Sequence, residues 1–308
     1  MAVPPAVAVV GLTATGKTEW GLRLAESLNG EVIGADSRQV YRRLQIGTAK
    51  PTDQERARVP HHVVDQVEPN EQYHLAGYVR DARAALQDLA ARAKRPIVVG
   101  GSGQYVWALL EGWSVPEVEP DIPFRVEMTA LARQRGPDFL HERLAEIDPV
   151  AAERIEPNNS RRVIRALEVW RGTGRPISDW YDTREPLDAI ILAPQYDLAQ
   201  LDLRIDARVD CMFEAGLVAE VQGLLDGGLA ADAPGLQSIG YRQVVPHCNG
   251  ESTLAQAIEA TKLATRQLAR SQAKWFRRSD PRIEWCADLE QARSLIDERR
   301  SQSGGPAR

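Results

Sequence analysis

The sequence predicts an α/β protein, a parallel sheet flanked by helices, with a small helical subdomain inserted into it. Three observations carry this. Short β-type runs alternate with helical patterns in the first third of the chain. The segment Gly11-Leu12-Thr13-Ala14-Thr15-Gly16-Lys17-Thr18 joins the first such run directly to the first helical pattern. A stretch with Pro116, Pro120 and Pro123 among Glu117, Glu119 and Asp121 then opens a wholly helical region, after which a β-type run returns.

Taken in order, strands are expected over 6–10, 31–35 and 96–99. A helix over 19–28 places Trp20, Leu24 and Leu28 on one face, and one over 78–93 does the same with Val79, Ala82, Leu86, Leu89 and Ala93. The middle region reads as helices over 124–134, 137–146 and 158–171, each opened by Pro, Asp or Asn and broken by Gly136, Pro149 or Gly172. A strand over 189–193 precedes helices over 200–214, 218–225 and 254–277. The core is therefore expected over 1–118 and 184–300 and the insertion over 119–183. The Ser/Gly/Pro-rich 301–308 are expected to be a disordered tail.

At 308 residues and 43% hydrophobic, the chain can fill a sizeable interior. Its apolar runs are too short to span a membrane, and residues 1–10 lack the basic start of a secretory signal. Cys211, Cys248 and Cys286 are far apart and odd in number, so neither a disulfide framework nor a zinc site is supported. A reducing cytoplasm is the expected compartment. A monomer and a dimer are equally compatible with the sequence.

The segment Gly11 to Thr18 is a phosphate cradle and makes the core P-loop NTPase-like. Its glycines allow a tight turn, successive N–H groups point at phosphate oxygens, and the following helix adds the positive end of its dipole. Lys17 then reaches the terminal phosphates and the Thr18 hydroxyl holds Mg²⁺.

Ligands of parallel sheets bind beyond the carboxyl ends of the strands. Three segments should therefore converge: the loop, Asp36-Ser37-Arg38-Gln39, and the turn Gly100-Gly101-Ser102-Gly103. The strand over 96–99 ends in glycines rather than an acid, and no convincing N-K-x-D segment occurs, which argues against a motor ATPase or a GTPase. Asp36 is left as the carboxylate that a strand end delivers to the crevice. It could orient an acceptor hydroxyl in a kinase or accept a proton in transfer to an amine or hydroxyl; an N-cap or an indirect Mg²⁺ partner is its plainer role. Lys50, Arg204 and Arg208 are cations available to a departing diphosphate, although each alone is more often a surface charge. Ser102 can donate to a phosphate or hold a substrate base, with turn formation its commoner use. His61 and His62 lack metal spacing and read as packing or anchoring residues.

Net charge is −5, which weighs against a polyanionic partner, but the distribution points the other way. Lys262, Arg266, Arg270 and Lys274 recur every four residues, and Arg277, Arg278 and Arg282 follow against a single acid, Asp280. The stripe lacks acidic partners at i,i+4 and ends in Trp275 and Phe276, so it is expected to be a polyanion surface.

Further segments fall in register with the loop over almost the whole chain. They are Asp36-Ser37-Arg38-Gln39-Val40-Tyr41, Gly47-Thr48-Ala49-Lys50-Pro51, Pro60-His61-His62 and Val99-Gly100-Gly101-Ser102-Gly103-Gln104-Tyr105, then Arg161-Arg162-Val163-Ile164-Arg165-Ala166-Leu167-Glu168-Val169, Ser238-Ile239-Gly240-Tyr241-Arg242-Gln243 and Thr265-Arg266-Gln267-Leu268-Ala269-Arg270. In these the chain closely resembles the tRNA isopentenyltransferase family, the tRNA dimethylallyltransferases. The resemblance implies transfer of a dimethylallyl group from dimethylallyl diphosphate to N6 of the adenine immediately 3′ of the anticodon. It implies Mg²⁺ as cofactor and the anticodon stem-loop of tRNA as partner.

Residue by residue, it makes Asp36 the base for the amine, with Lys17 and Ser102 as further catalytic groups. It places the diphosphate on Gly11, Leu12, Thr13, Ala14, Thr15, Gly16, Lys17, Thr18 and Arg208. It assigns tRNA contacts to Asp36, Ser37, Arg38, Gln39, Ser102 and Phe124, to Arg161, Arg162, Val163, Ile164 and Arg165, to Ser238, Ile239, Gly240, Tyr241, Arg242 and Gln243, and to Arg266 and Arg270. Leu12 stands where the family usually has Pro, Thr15 where it has Ser, Ser102 where it has Thr, and Ser271 where it has Arg. The first three keep the loop or a hydroxyl, whereas Ser271 removes a phosphate contact. Two other classes stay in view: a P-loop kinase using ATP on a small molecule or nucleotide, which has no use for the basic helix, and an RNA-binding NTPase switch, which would tolerate loss of Asp36.

Overall fold

The computed structural model describes residues 5–181 and 184–303. The chain divides into two compact units, Met1–Leu109 with Leu187–Arg308, and Leu110–Pro186.

The first unit opens with β1 (Ala6–Val10), a Val/Ala run buried at every position, as befits a central parallel strand. It continues through α1 (Lys17–Ser27), β2 (Gly30–Gly34), α2 (Asp53–Arg58), β3 (His61–His62), α3 (Leu75–Ala91), β4 (Arg95–Gly100) and α4 (Gly103–Leu110). The second unit holds α5 (Ile122–Arg135), α6 (Pro137–Ile147), α7 (Pro149–Arg154) and α8 (Ser160–Thr173). The first resumes with β5 (Ala189–Pro194), α9 (Leu198–Glu214), α10 (Leu217–Asp226), α11 (Tyr241–Cys248), α12 (Leu254–Trp275), β6 (Ile283–Cys286) and α13 (Leu289–Ser303).

The strands form one parallel sheet in the order β3-β2-β4-β1-β5-β6. Because β4 lies between β1 and β2, with Ile97 paired to both Val7 and Val32, the carboxyl ends of these three strands are neighbours. Val7, Val9, Val32, Ile97 and Leu192 pack against Leu22 and Leu24 of α1. The approach is close: a Cβ on Gly21 would lie 2.4 Å from a Val99 methyl, so a larger residue would push α1 off the sheet. Both β3 and β6 are additions to the sequence reading. Two and four residues respectively are too few to show a period. Helix α4 escaped it for the opposite reason, since its run Tyr105 to Leu110 is buried almost all round and shows no amphipathic stripe.

In the second unit, Asp121, Asp148 and Asn159 accept from the N–H groups of Phe124, Ala151 and Arg162, capping α5, α7 and α8. Glu168, 1% exposed, is held by the guanidinium groups of Arg125 and Arg165 and by the Asp121 N–H. Residues 182–183, at the end of the expected insertion, lie outside the described residues, as do 304–308 of the expected tail. Ser301 to Ser303 are helical: they extend α13, and the Ser301 hydroxyl donates back to the Asp297 carbonyl at 3.0 Å. No helix among the described residues is long and apolar enough to cross a membrane.

Candidate active site

A cavity of about 440 Å³ lies in the first unit, bordered by Thr13 after β1, Asp36 and Ser37 after β2, and Gly101 and Ser102 after β4. The three segments expected to converge do so. Helices α9 and α12 supply the facing wall through Arg208, Met212, Leu268, Ser271 and Trp275.

The loop owes its shape to local geometry. Gly11 and Gly16 have φ of 129° and 89°, and Ala14 adopts 62°, so the backbone reverses before α1 begins at Lys17. The Thr15 hydroxyl donates to the Leu12 carbonyl at 2.8 Å, and the Lys17 ammonium donates to the same oxygen. Leu12 is fully buried against Leu201, Ile205 and Ala269, which pins the loop to α9 and α12. Thr18 is exposed at the start of α1.

Asp36 Oδ1 accepts the Arg38 N–H at 2.8 Å, leaving Oδ2 without a hydrogen bond among the described residues. The adjoining turn is fixed from β4: Ser102 Oγ accepts the Ser37 N–H at 2.9 Å, and the Ser102 N–H donates to the Ala35 carbonyl at 3.1 Å. Only glycine fits at position 100, where a Cβ would lie 2.1 Å from that carbonyl oxygen.

Lys17 and Arg208 share the electrostatic field of Asp36. Burial pushes the Lys17 ammonium down to about 7, Arg208 pushes it in the same direction, and Asp36 opposes both. Burial likewise lowers Arg208, again opposed by Asp36. Among the described residues the Arg208 guanidinium has no ion-pair partner, so two cations stand at the cradle with one carboxylate near them. Such a site favours an anion.

Several residues expected to touch tRNA are engaged elsewhere. Phe124, Val163 and Ile164 are 8%, 0% and 7% exposed and pack with Leu140 and Leu144 in the second unit's core, because they occupy the apolar faces of α5 and α8. Arg165 is tied to Glu168 and to the Val118 carbonyl, whereas Arg161 and Arg162, one turn earlier on α8, are exposed. Tyr241 is wholly buried; its hydroxyl donates to Glu220 and accepts the Gly47 N–H at 3.1 Å. The Gln39 amide donates to the Thr48 and Ala49 carbonyls, and Gln243 caps the Gly240 N–H. Ser238, Ile239 and Arg242 do line the cavity, as does exposed Arg38.

Lys50, 4% exposed, is bound to Asp65 and the Tyr41 carbonyl and is no surface cation. Arg204 is exposed and outside the cavity lining. His61 and His62 anchor β3, through the Val59 carbonyl and Glu31 respectively. The basic stripe is not bare: Lys262, Arg266 and Arg270 pair with Asp210, Asp206 and Asp202 of α9. Gln272 was missed by sequence reasoning. No local signal marks it, since Gln256 and Gln267 of the same helix are also amides.

Comparison with known proteins places the chain in a family. A family model described as IPP transferase matches residues 39–279, and one described as isopentenyl transferase matches residues 5–66. The tRNA dimethylallyltransferase of Roseiflexus sp. (strain RS-1) is 48% identical over 275 residues, 89% of this chain and 90% of the relative. That of Chloroflexus aurantiacus (strain ATCC 29366 / DSM 635 / J-10-fl) is 45% identical, over 92% and 96%. Among solved structures, the tRNA isopentenylpyrophosphate transferase of Bacillus halodurans is 37% identical with a TM-score of 0.68, covering 98% of this chain and 96% of that one. A eukaryotic dimethylallyltransferase acting on tRNA is 28% identical with a TM-score of 0.79, covering 99% and 81%. With these matches, and with its parallel P-loop NTPase-like core, this chain belongs to the IPP transferase family.

Proposed function

We propose that the protein transfers a dimethylallyl group from dimethylallyl diphosphate to N6 of the adenine immediately 3′ of the anticodon in tRNA, releasing diphosphate. The observation that carries the reading is that Asp36 and Arg208 line one cavity beyond the sheet while the buried Lys17 of the phosphate loop lies within electrostatic reach of both. The N6 lone pair attacks C1 of the allyl group while the C1–O bond breaks, and its electrons leave on a diphosphate oxygen. The amine proton goes to Asp36 Oδ2. Negative charge grows on the leaving diphosphate, where Lys17, Arg208 and the loop N–H groups stabilise it most as the bond breaks. Arrival of that anion restores the charge of Lys17, which burial opposes in the free protein.

The base leaves its stack to enter the cavity, at a cost of a few kcal/mol that is smallest in a loop such as that of the anticodon. Arg38, Arg242 and the exposed Arg161 and Arg162 are the cations offered to tRNA phosphates. Thr18 offers Mg²⁺ a hard oxygen beside the diphosphate, and this fits an ion held through few protein atoms together with phosphates and water. No cluster of three or more His, Cys, Asp or Glu suited to a metal exists among the described residues. When bound, the ion supplies charge neutralisation of the diphosphate. A tRNA acceptor and three unpaired cysteines fit a reducing cytoplasm.

The test is incubation with unmodified tRNA, radiolabelled dimethylallyl diphosphate and Mg²⁺. Label retained on the tRNA supports the transferase. No label on a competent tRNA, or phosphate transfer from ATP instead, overturns it.

A further inference from the structure

The phosphate loop and the glycine turn after β4 are joined by one side chain. Gln272 of α12, 8% exposed, accepts the Thr13 N–H on Oε1 at 2.8 Å and donates from Nε2 to the Gly101 carbonyl at 3.0 Å. Both polar ends of the amide are used, each on backbone of a different cavity wall. Gly101 makes room for it: a Cβ there would lie 2.4 Å from Gln272 Nε2. One turn on, Gly103 makes room for Trp275, whose ring would meet a Cβ at 2.1 Å, and the Trp107 indole donates to the Trp275 carbonyl at 3.2 Å. The adjacent ridge of the same helix, Leu268, Ser271 and Trp275, lines the cavity itself. Gln272 lines the same cavity, so one face of α12 both borders the acceptor space and, through this side chain, grips the phosphate loop and the glycine turn.

We propose that Gln272 is a positioning residue that couples the acceptor wall to the diphosphate cradle. It spends the Thr13 N–H on a protein oxygen rather than on phosphate and orients Thr13 at the cavity edge. It also holds Gly101, and through the turn Ser102 and Ser37, at a fixed distance from the loop. Asp36 and the cradle then keep one relative geometry, which transfer between two substrates requires. The assignment rests on the transferase reading for its kinetics but not for its structural content.

The test compares Gln272→Ala, Gln272→Met and Gly101→Ala with the unaltered protein, and adds the Gln272→Ala/Gly101→Ala pair. The expected result is a KM for dimethylallyl diphosphate raised about tenfold and a kcat lowered about tenfold in the first three, with tRNA affinity measured without donor kept within about twofold. In the double variant the cost of Gly101→Ala shrinks, because the collision it creates is gone. A kcat that falls only with the titrated fraction of active protein, at unchanged KM, overturns the proposal, as does an equal cost of Gly101→Ala in both backgrounds. Inorganic pyrophosphate binding, followed by calorimetry, is read independently of turnover: about tenfold weaker binding by Gln272→Ala is expected, and unchanged binding refutes the coupling. Absence of label transfer by the unaltered protein would defeat the transferase reading alone and leave this measurement standing.

Discussion

The Arg266 guanidinium grips both oxygens of Asp206, at 2.9 and 3.1 Å, and α9 and α12 repeat the pairing one turn away on either side. Arg270 holds both oxygens of Asp202 at 2.6 Å, and Lys262 meets Asp210 at 2.8 Å. The ladder zips two antiparallel helices that both carry cavity residues. Pairs exposed to this degree contribute about 0.5 kcal/mol each. Arg266→Gln should therefore lower the melting temperature by about 1 °C while leaving tRNA affinity and its salt dependence nearly unchanged. Removing Arg161 and Arg162 should do the reverse, reducing the slope of log K against log salt by about one for each phosphate no longer neutralised. Filter binding over a salt titration, alongside thermal melts, decides between the two surfaces.

Asp36→Ala should depress turnover by about 10² or more and leave tRNA affinity almost intact, since the carboxylate is needed for proton transfer rather than docking. Single-turnover kinetics with saturating tRNA check it. Unchanged turnover would remove Asp36 from the base role.

Lys17 predicts proton uptake. The unfolded chain holds this proton up to its ordinary value of 10.5, whereas the free folded protein releases it above about 7. Between these values the unfolded state binds more protons, so this group makes stability rise with pH across that window. Diphosphate binding at about pH 8.5 should take up close to one proton. At about pH 6, where Lys17 is already charged, it should take up almost none. Calorimetry in buffers of different ionisation enthalpy measures the count, and Lys17→Met should abolish it.

At the opposite end of β2, the Arg92 guanidinium and then His62 hold Glu31 down to about 2 from its ordinary 4.5. A depressed carboxyl contributes stability that is complete above 4.5 and is lost as pH falls from there to about 2. Glu31→Gln should flatten that part of the acid limb and lower the melting temperature at neutral pH by about 5 °C. Melts between those pH values would show it.

Much of the site was legible in the chain because its parts are local. A phosphate loop is written in eight consecutive residues whose sterics set the backbone, and Asp36 and the glycine turn follow strand ends that parallel topology must bring to one edge. The same locality misled where a side chain's surroundings mattered. Val163, Ile164 and Tyr241 sit in motifs that look like RNA contacts, yet the packing of α8 and α11 buries them.

By itself, then, the sequence determined the cradle, the carboxylate beside it and the α/β core, since short-range sterics and hydrophobic periodicity suffice for these. Tertiary structure alone decided which charges are neutralised and which polar groups are joined. Asp206 lies 60 residues from Arg266, and Thr13 lies 259 residues from Gln272. No local rule links residues so far apart; their pairing exists because the packed helices bring them within hydrogen-bonding distance.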